Sequence, residues 1–466
     1  MLSIKKLPSP AGIPLLGNIL QIKPSRIYQV LCDWARELGG FYTFKIGSKC
    51  ILVVTETDVM AELLHERPGK FRRWVKMEEL GLEVGADGVF VAEGDKWRRH
   101  RRLITPTFNL LHIKNAWEAI DATTRRLQQR WLNFAVDGSS VDMRQEAMSY
   151  TVDVVTGFAF GYELNTLEES AGELQGALSS FLQTAARRQA AVFPYWRYIT
   201  LKSDREFNVA LTRINHLVSG FIKSARERME NGSSPPLPPV NMIEKLVAHQ
   251  NSAGSESLSD GEIIGNVLTF LLAGEDTTAN TIAWAVYFIA RHPVVQEKLQ
   301  MEVDRVLNST AVIPTIDQLD KLPYAHAIIQ ETMRLKPVFP LLTLEPNEDV
   351  EIQGVEVLKG TPVFLLIGYP GQDTRHFIRA GEFLPERWLE SQAYEQDNKK
   401  ACTPFGIGPR HCPGHQLAMH EALMAISMLA KNFDVKADES AGPTEEIYAF
   451  TLCPSHVSVC LMKRHE

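Results

Sequence analysis

Residues 263–290 form the most apolar stretch of this chain, and the run "GEDTTAN" (274–280) interrupts it. A membrane span does not tolerate that insertion, so the stretch reads as a buried helix around which the rest must be arranged. The polar connector within "HQNSAGSESLSDGE" (249–262) ends at Ser259, which is placed as the N-cap of this helix. At 466 residues the chain is long enough for two or three ordinary domains or for one large one.

Patterning along the chain favours helix, with a small amount of sheet. "FYTFKIGSKCILVVT" alternates apolar and polar residues around Gly47-Ser48 and predicts a hairpin. From about residue 94 to 232 apolar residues recur at three- and four-residue spacing, as in "RRLQQRWLNFAV" and "INHLVSGFIKSARERM". "NGSSPPLPPV" (231–240) ends that pattern as a stiff, solvated connector. Residues 293–336 read as helical again. Residues 349–365 read as short strands with turns at Gly354 and Gly360. Residues 370–413 show little periodicity and so suggest a working loop. A helix at about 414–431 and a strand-like tail complete the chain. No internal repeat is visible.

The net charge of −7 leaves no basic excess for neutralising phosphates, which argues against a nucleic-acid partner. Cys32, Cys50, Cys402, Cys412, Cys453 and Cys460 are scattered without a paired framework and fit a reducing, cytoplasmic compartment. The start "MLSIKKLPSPAGIPLLGN" has short apolar runs broken by Pro8, Pro10 and Pro14, so neither a signal peptide nor a transmembrane anchor is expected.

Four stretches hold residues suited to chemistry. "FGIGPRHCPGH" (405–415) sets Cys412 just before a predicted helix, whose dipole favours an anionic sulfur. Gly406, Gly408 and Gly414 let this backbone approach a flat macrocycle and adopt positive φ. Arg410 is suited to pairing with a carboxylate of such a ligand. A zinc site would use His411, Cys412 and His415, but no distant second pair of ligands exists. A redox thiol would need a resolving cysteine, and Cys402 lies outside any CxxC spacing.

The second stretch is "LLAGEDTTAN" (271–280). Ala273-Gly274 removes side-chain bulk, while Glu275, Asp276, Thr277 and Thr278 bring an acid and hydroxyls into a buried element. Threonines there can bond back to a carbonyl and open the helix locally. Either this is a solvated patch on one face, or the acid is buried for proton delivery. Third, "ETMR" sets Glu331 and Arg334 one turn apart, a pairing common on any helix surface, and "FLPERW" adds Arg387. Fourth, "WRRHRR" puts Trp97 and Arg101 one turn apart, either reaching an anionic ligand or forming a basic helix face.

Taken in order, these stretches resemble the cytochrome P-450 family of haem-thiolate monooxygenases. They read Trp-x-x-x-Arg, Ala-Gly-x-Asp-Thr-Thr, Glu-x-x-Arg, Pro-Glu-Arg-Trp and Phe-x-x-Gly-x-Arg-x-Cys-x-Gly. The resemblance covers essentially the full chain. It implies a mainly α fold with small β-sheets, the family's prism-like single domain. Residues 1–24 would be a proline-rich N-terminal segment and 25–466 the haem-thiolate monooxygenase domain. It further implies a soluble, bacterial-type monomer.

By the same resemblance, Cys412 would be the metal ligand of haem b (iron protoporphyrin IX), with Phe405 packed near its sulfur. Trp97, Arg101 and Arg410 would bind the propionates, and Ala273, Gly274, Gly408 and Gly414 would border the cofactor. Asp276 and Thr277 would be catalytic, steering protons to dioxygen. Glu331, Arg334 and Arg387 would form a buried structural ion-pair triad. The substrate pocket would draw on Phe90, Phe270, Val338, Phe339, Leu341, Leu342, Phe450 and Thr451, with the neighbouring stretches 82–90 and 448–452 and "AAVFPYWRYI" (190–199) as its roof. A pocket so apolar implies a hydrophobic substrate: fatty acid, terpenoid, steroid or polyketide-like.

A thiolate ligand pushes electron density to iron and favours O–O cleavage. No flavin or nicotinamide motif is visible, so electrons would come from a ferredoxin- or flavodoxin-type partner docking on Arg98, Arg99, Arg102, Lys399 and Lys400. The alternatives are a peroxide-using or rearranging haem-thiolate enzyme and a non-catalytic haem-thiolate sensor. One departure stands out. The family's usual cation eight to ten positions after Arg334 is missing from "PLLTLEP" (340–346).

Overall fold

The structure is a computed structural model and describes residues 2–168, 172–191, 193–230, 241–252, 257–308, 310–390 and 392–464. The expected connector at 231–240 and part of the one before Ser259 lie outside these residues.

The apolar stretch folds as one helix, Asp260–Arg291, buried on almost every face. Its start is held by a capping box. The Ser259 hydroxyl accepts from the Glu262 amide at 3.2 Å, and the Glu262 carboxylate accepts from the Ser259 amide at 2.9 Å. The helix runs unbroken through the threonines. Thr277 and Thr281 do bond back to the carbonyls four residues earlier, yet the ladder stays closed. The expected local opening is therefore absent. Helix Met143–Val155, buried on nearly all sides, lies along it, and helix His415–Asn432 packs on the same core.

The loop at residues 84–92 sits directly on the long helix. A Cβ on Gly88 would stand 2.4 Å from the Gly265 carbonyl oxygen, and one on Gly265 would stand 2.5 Å from the Asp87 backbone. Two glycines thus let backbone meet helix, and the Val89 amide donates to Asn266 Oδ1 at 2.8 Å.

Sheet is confined to small units. The predicted hairpin pairs Phe41–Ile46 with Lys49–Val54. Val363–Leu365, Leu342–Pro346 and Phe71–Arg73 extend it to five strands. The strands expected in 349–365 are Val350–Ile352, Val355–Val357 and Val363–Leu365. Helical patterning over 94–232 holds with interruptions. Left-handed glycines end helices at Gly138 and Gly161, and Ser140–Asp142 is an edge strand against the C-terminal Ser458–Lys463. No described helix is long and apolar enough to cross a membrane.

Candidate functional site

A cavity of about 370 Å³ lies between the long helix and the loop that carries Cys412. Pro404, Phe405, Gly406, Ile407, Arg410, Cys412 and Gly414 form one wall. The Cys412 amide donates to the Phe405 carbonyl at 2.9 Å, which closes the loop on itself. Burial pushes the Cys412 thiol up, while the Gly414 amide and Arg101 pull it back. Gly406 and Gly408 have positive φ, at 69° and 73°. Gly414 does not, because with φ −88° it is the N-cap of helix His415–Asn432. Gly408 does not border the cavity; a Cβ there would meet the Leu64 carbonyl oxygen at 2.6 Å. That glycine fits the loop against helix Thr57–His65.

Helix Gly94–Ile104 presents Trp97 and Arg101 to the same cavity. Arg410 lies over the Trp97 ring, 4.6 Å from its centroid. It also donates to the Ala92 carbonyl at 2.7 Å and to Glu93 Oε2 at 2.6 Å.

On the long helix Ala273 and Thr277, one turn apart, face the cavity, and Thr277 Oγ1 donates to the Ala273 carbonyl at 2.7 Å. Gly274 also borders it, but a Cβ there would press Val155 Cγ2 at 2.6 Å. Its smallness serves helix packing. Asp276 is buried; it accepts from Thr451 Oγ1 and from Asn280 Nδ2 at 3.0 Å, and burial pushes its carboxyl up. Its hydrogen bonds thus go to the 451–454 strand and its own helix, not to Thr277.

Phe270, Val338, Leu342 and Thr451 line the cavity. Leu341 does not. It packs with Trp74 and Phe364 in a separate cluster, since successive residues entering a strand point to opposite sides. Tyr448 and Leu452 pack in that cluster too. Phe450, the single residue between paired Ala449 and Thr451, has φ +75°. A phenylalanine in the left-handed region is costly, and here it puts the ring against Phe90 and Phe339, at 6.0 and 5.9 Å. The described residues of 190–199 do not line the cavity. The roof is formed by helices Gly172–Ala190 and Lys202–Glu230.

Glu331, Arg334 and Arg387 meet in full burial. Arg334 grips Glu331 with two bonds, at 2.8 and 2.7 Å, and Arg387 Nε reaches Glu331 Oε1 at 2.9 Å. Asp397, missed in the sequence, pairs with Arg387 and brings the group to neutrality. Arg334 also donates to the Ala380 and Glu382 carbonyls at 2.6 and 3.0 Å. The aperiodic segment is thereby tied to helix Pro323–Leu335.

The family model described as Cytochrome P450 matches residues 7–461. The chain belongs to the cytochrome P450 family. That makes it an oxidoreductase of the monooxygenase class with a haem iron centre. It is 28% identical over 445 residues to "Cytochrome P450 3A5" of Homo sapiens, covering 92% of this chain and 85% of that one. It is 26% identical over 452 residues to a "Bifunctional cytochrome P450/NADPH--P450 reductase" of Gibberella moniliformis, covering 94% of this chain. It spans only 39% of that relative's length. "Protein LUTEIN DEFICIENT 5, chloroplastic" of Arabidopsis thaliana is 26% identical over 436 residues, covering 92% and 73%.

The residues present fit a haem. Besides Arg101 and Arg410, Arg67 and Arg73 reach the cavity, and both are buried. Arg67 Nε and Nη2, Arg73 Nε and Arg410 Nε are buried without a hydrogen-bond partner among the described residues. Burial lowers Arg73 to about 10 and Arg410 to about 9, with Glu93 opposing in both. Several buried guanidinium groups facing so little negative charge suit a cofactor with two carboxylates. Arg67 and Arg73 also supply the positive charge that 340–346 lacks. They were illegible beforehand because "ERPGKFRRW" reads as any basic surface stretch. No group of three or more His, Cys, Asp or Glu suited to a metal occurs among the described residues, which leaves the zinc reading without support.

Two further carboxyls in this P450 are unusual. Glu421, on the cavity wall, and Glu275, on the long helix, are buried with neither carboxyl oxygen partnered among the described residues. Burial pushes both well up. A carboxyl whose folded value is raised gives stability that is complete below the unfolded value near 4.3 and lost as pH rises through the folded one. Glu421→Met is expected to gain about 1 kcal/mol or more at pH 8 relative to pH 5, read from denaturant unfolding at both pH values. An equal effect at the two pH values would count against a protonated Glu421.

Proposed function

We propose that residues 25–466 work as a haem-thiolate monooxygenase unit, with 1–24 as its N-terminal segment. The reaction inserts one atom of dioxygen into a hydrophobic substrate: fatty acid, terpenoid, steroid or polyketide-like. The observation that carries this reading is the single cavity with Cys412 on one wall, Ala273 and Thr277 on the opposite one, and mainly apolar side chains between. The cofactor is haem b, which when bound supplies the electron storage and dioxygen activation that no side chain offers. Cys412 ligates it. Trp97, Arg101, Arg410, Arg67 and Arg73 hold its propionate edge, and Phe405 packs beside the sulfur.

The remaining work belongs to the chain. Phe90, Phe270, Phe339 and Phe450 exclude water and orient the substrate's apolar body. The Thr277 hydroxyl gives its own proton to the Ala273 carbonyl and so presents its oxygen to the cavity as an acceptor that orients protons delivered there, while buried Asp276, bonded to Thr451 and Asn280, is the acid of the same helix. Electrons come from a ferredoxin- or flavodoxin-type donor. Of the expected docking residues, Arg99 pairs with buried Glu262 and Arg98 with exposed Asp95; Arg98, Arg99, Arg102, Lys399 and Lys400 are the basic face this reading assigns to the donor. The setting is cytoplasmic and the protein a monomer.

A peroxide-using reading draws on one observation, the bonding of Asp276 to Thr451 and Asn280. Isotope labelling separates the two. With a reductase system and labelled dioxygen, the product should carry label from the gas and none from water. Turnover with peroxide that ignores dioxygen would favour the second reading.

A further inference from the structure

A chain of buried polar groups, separate from the haem edge and the proton route, links helix Gly94–Ile104 to the loop that carries Phe90. His100, on that helix, is fully buried. Its Nε2 lies 3.2 Å from Glu262 Oε1, and its Nδ1 lies 3.2 Å from Asn266 Nδ2. Glu262 and Asn266 stand one turn apart on the long helix.

Two backbone groups fix which way the Asn266 amide points. Oδ1 accepts from the Val89 amide at 2.8 Å, and Nδ2 donates to the Glu262 carbonyl at 2.7 Å. The second Nδ2 hydrogen is the one that meets His100, so His100 Nδ1 must accept. The ring proton then sits on Nε2, where the Glu262 carboxylate receives it. Only the neutral ring in that tautomer satisfies every partner. A second proton would set the N–H of Nδ1 against an N–H of Asn266. The amide could answer only by turning over, which gives up the Val89 bond.

The surrounding charges are already matched. Glu262 is paired with Arg99, while Lys96, 3.9 Å from the same carboxylate oxygen, is paired with Asp87. Burial holds His100 below its ordinary value; Glu262 opposes this, and Arg99 and Lys96 add to it. What hangs on the Val89 bond is one wall of the cavity. Val89, Phe90 and Val91 all border it, and the Arg73 guanidinium lies 3.9 Å from the centroid of the Phe90 ring.

We propose that His100 is a positioning residue for the substrate: as a neutral ring it holds loop 84–92 on the cavity through Asn266, and as an imidazolium it lets the loop go. The inference goes beyond the reading above and shares with it only the cavity as the substrate site. Closure is complete above the ordinary histidine value of 6.5 and is lost as pH falls through the lower folded one.

The test is amide hydrogen exchange of residues 84–92 in the haem-loaded protein at about pH 7.5 and about pH 5, on either side of that value. Exchange is expressed as protection relative to the unfolded chain, so that its intrinsic pH dependence cancels. Protection should fall by about tenfold at the lower pH, the worth of one buried hydrogen bond. Binding of methyl dodecanoate, a probe with no titrating group, should weaken by about threefold or more over the same step, read from the haem spectral change. His100→Asn keeps an acceptor near the place of Nδ1 and cannot be charged, so its protection and binding should be the same at both pH values. His100→Phe offers no acceptor and should be poorly protected at both. If His100→Asn does not fold, His100→Gln, also uncharged, takes its place. Wild-type protection that does not change between the two pH values, or a step that survives in the uncharged variant, overturns the proposal. Methyl dodecanoate that binds at neither pH overturns the hydrophobic-substrate reading, while exchange, which needs no ligand, still decides the role of His100.

Discussion

Replacing Arg387 with alanine should destabilise the protein by about 3–5 kcal/mol, the cost of breaking a buried, hydrogen-bonded ion pair. The size follows from what is left behind. Glu331 and Asp397, both buried, would face the single guanidinium of Arg334. The Ile378 carbonyl would lose its donor at 3.1 Å. Such a loss is a large part of a typical folding stability of about 5–15 kcal/mol. Because the network ties residues 371–397 to helix Pro323–Leu335, weaker haem retention should accompany the lower denaturant midpoint. Arg387→Lys keeps the charge but not the fork and should fall between the two. A loss under about 1 kcal/mol would mean that the group is solvated and not load-sharing.

The second large effect concerns Thr277→Ala. The Thr277 hydroxyl is seated on the cavity wall by donating to the Ala273 carbonyl, so the substitution removes a fixed acceptor oxygen that orients proton delivery without disturbing the unbroken helix. Electron consumption should continue, with the electrons diverted to hydrogen peroxide. Product formed per electron should fall by about tenfold or more, the low end for a positioned acid–base group. Thr277→Ser should recover most of it. An unchanged product yield per electron would contradict the proton role and support the peroxide-using reading.

What could be read in advance depended on how local the information was. The long helix announced itself through its own residues: an apolar run, an acid-and-threonine interruption and a Ser259 cap whose partner is three residues away. The Cys412 loop was legible for the same reason. Features whose meaning is tertiary were not. Arg67 and Arg73 look like surface residues until the fold turns them into one cavity with Arg410. Asp397 belongs to the ion-pair group only because the aperiodic segment folds back on Arg387. The strand Ser140–Asp142 takes its partner from more than three hundred residues later. Leu341 failed on parity, one residue from Leu342 yet facing a different core. The glycines at 274 and 408 suggest close approach of a flat ligand, but the neighbours that need their smallness are Val155 and the Leu64 carbonyl.

Ligation of the haem iron by Cys412 is the claim on which the rest depends, and one spectrum addresses it. The reduced, carbon-monoxide-bound protein should show the red-shifted Soret band of thiolate ligation. Cys412→His should still take up haem and lose that band. A wild-type band at the position of imidazole ligation, or a red-shifted band that survives in Cys412→His, would contradict it.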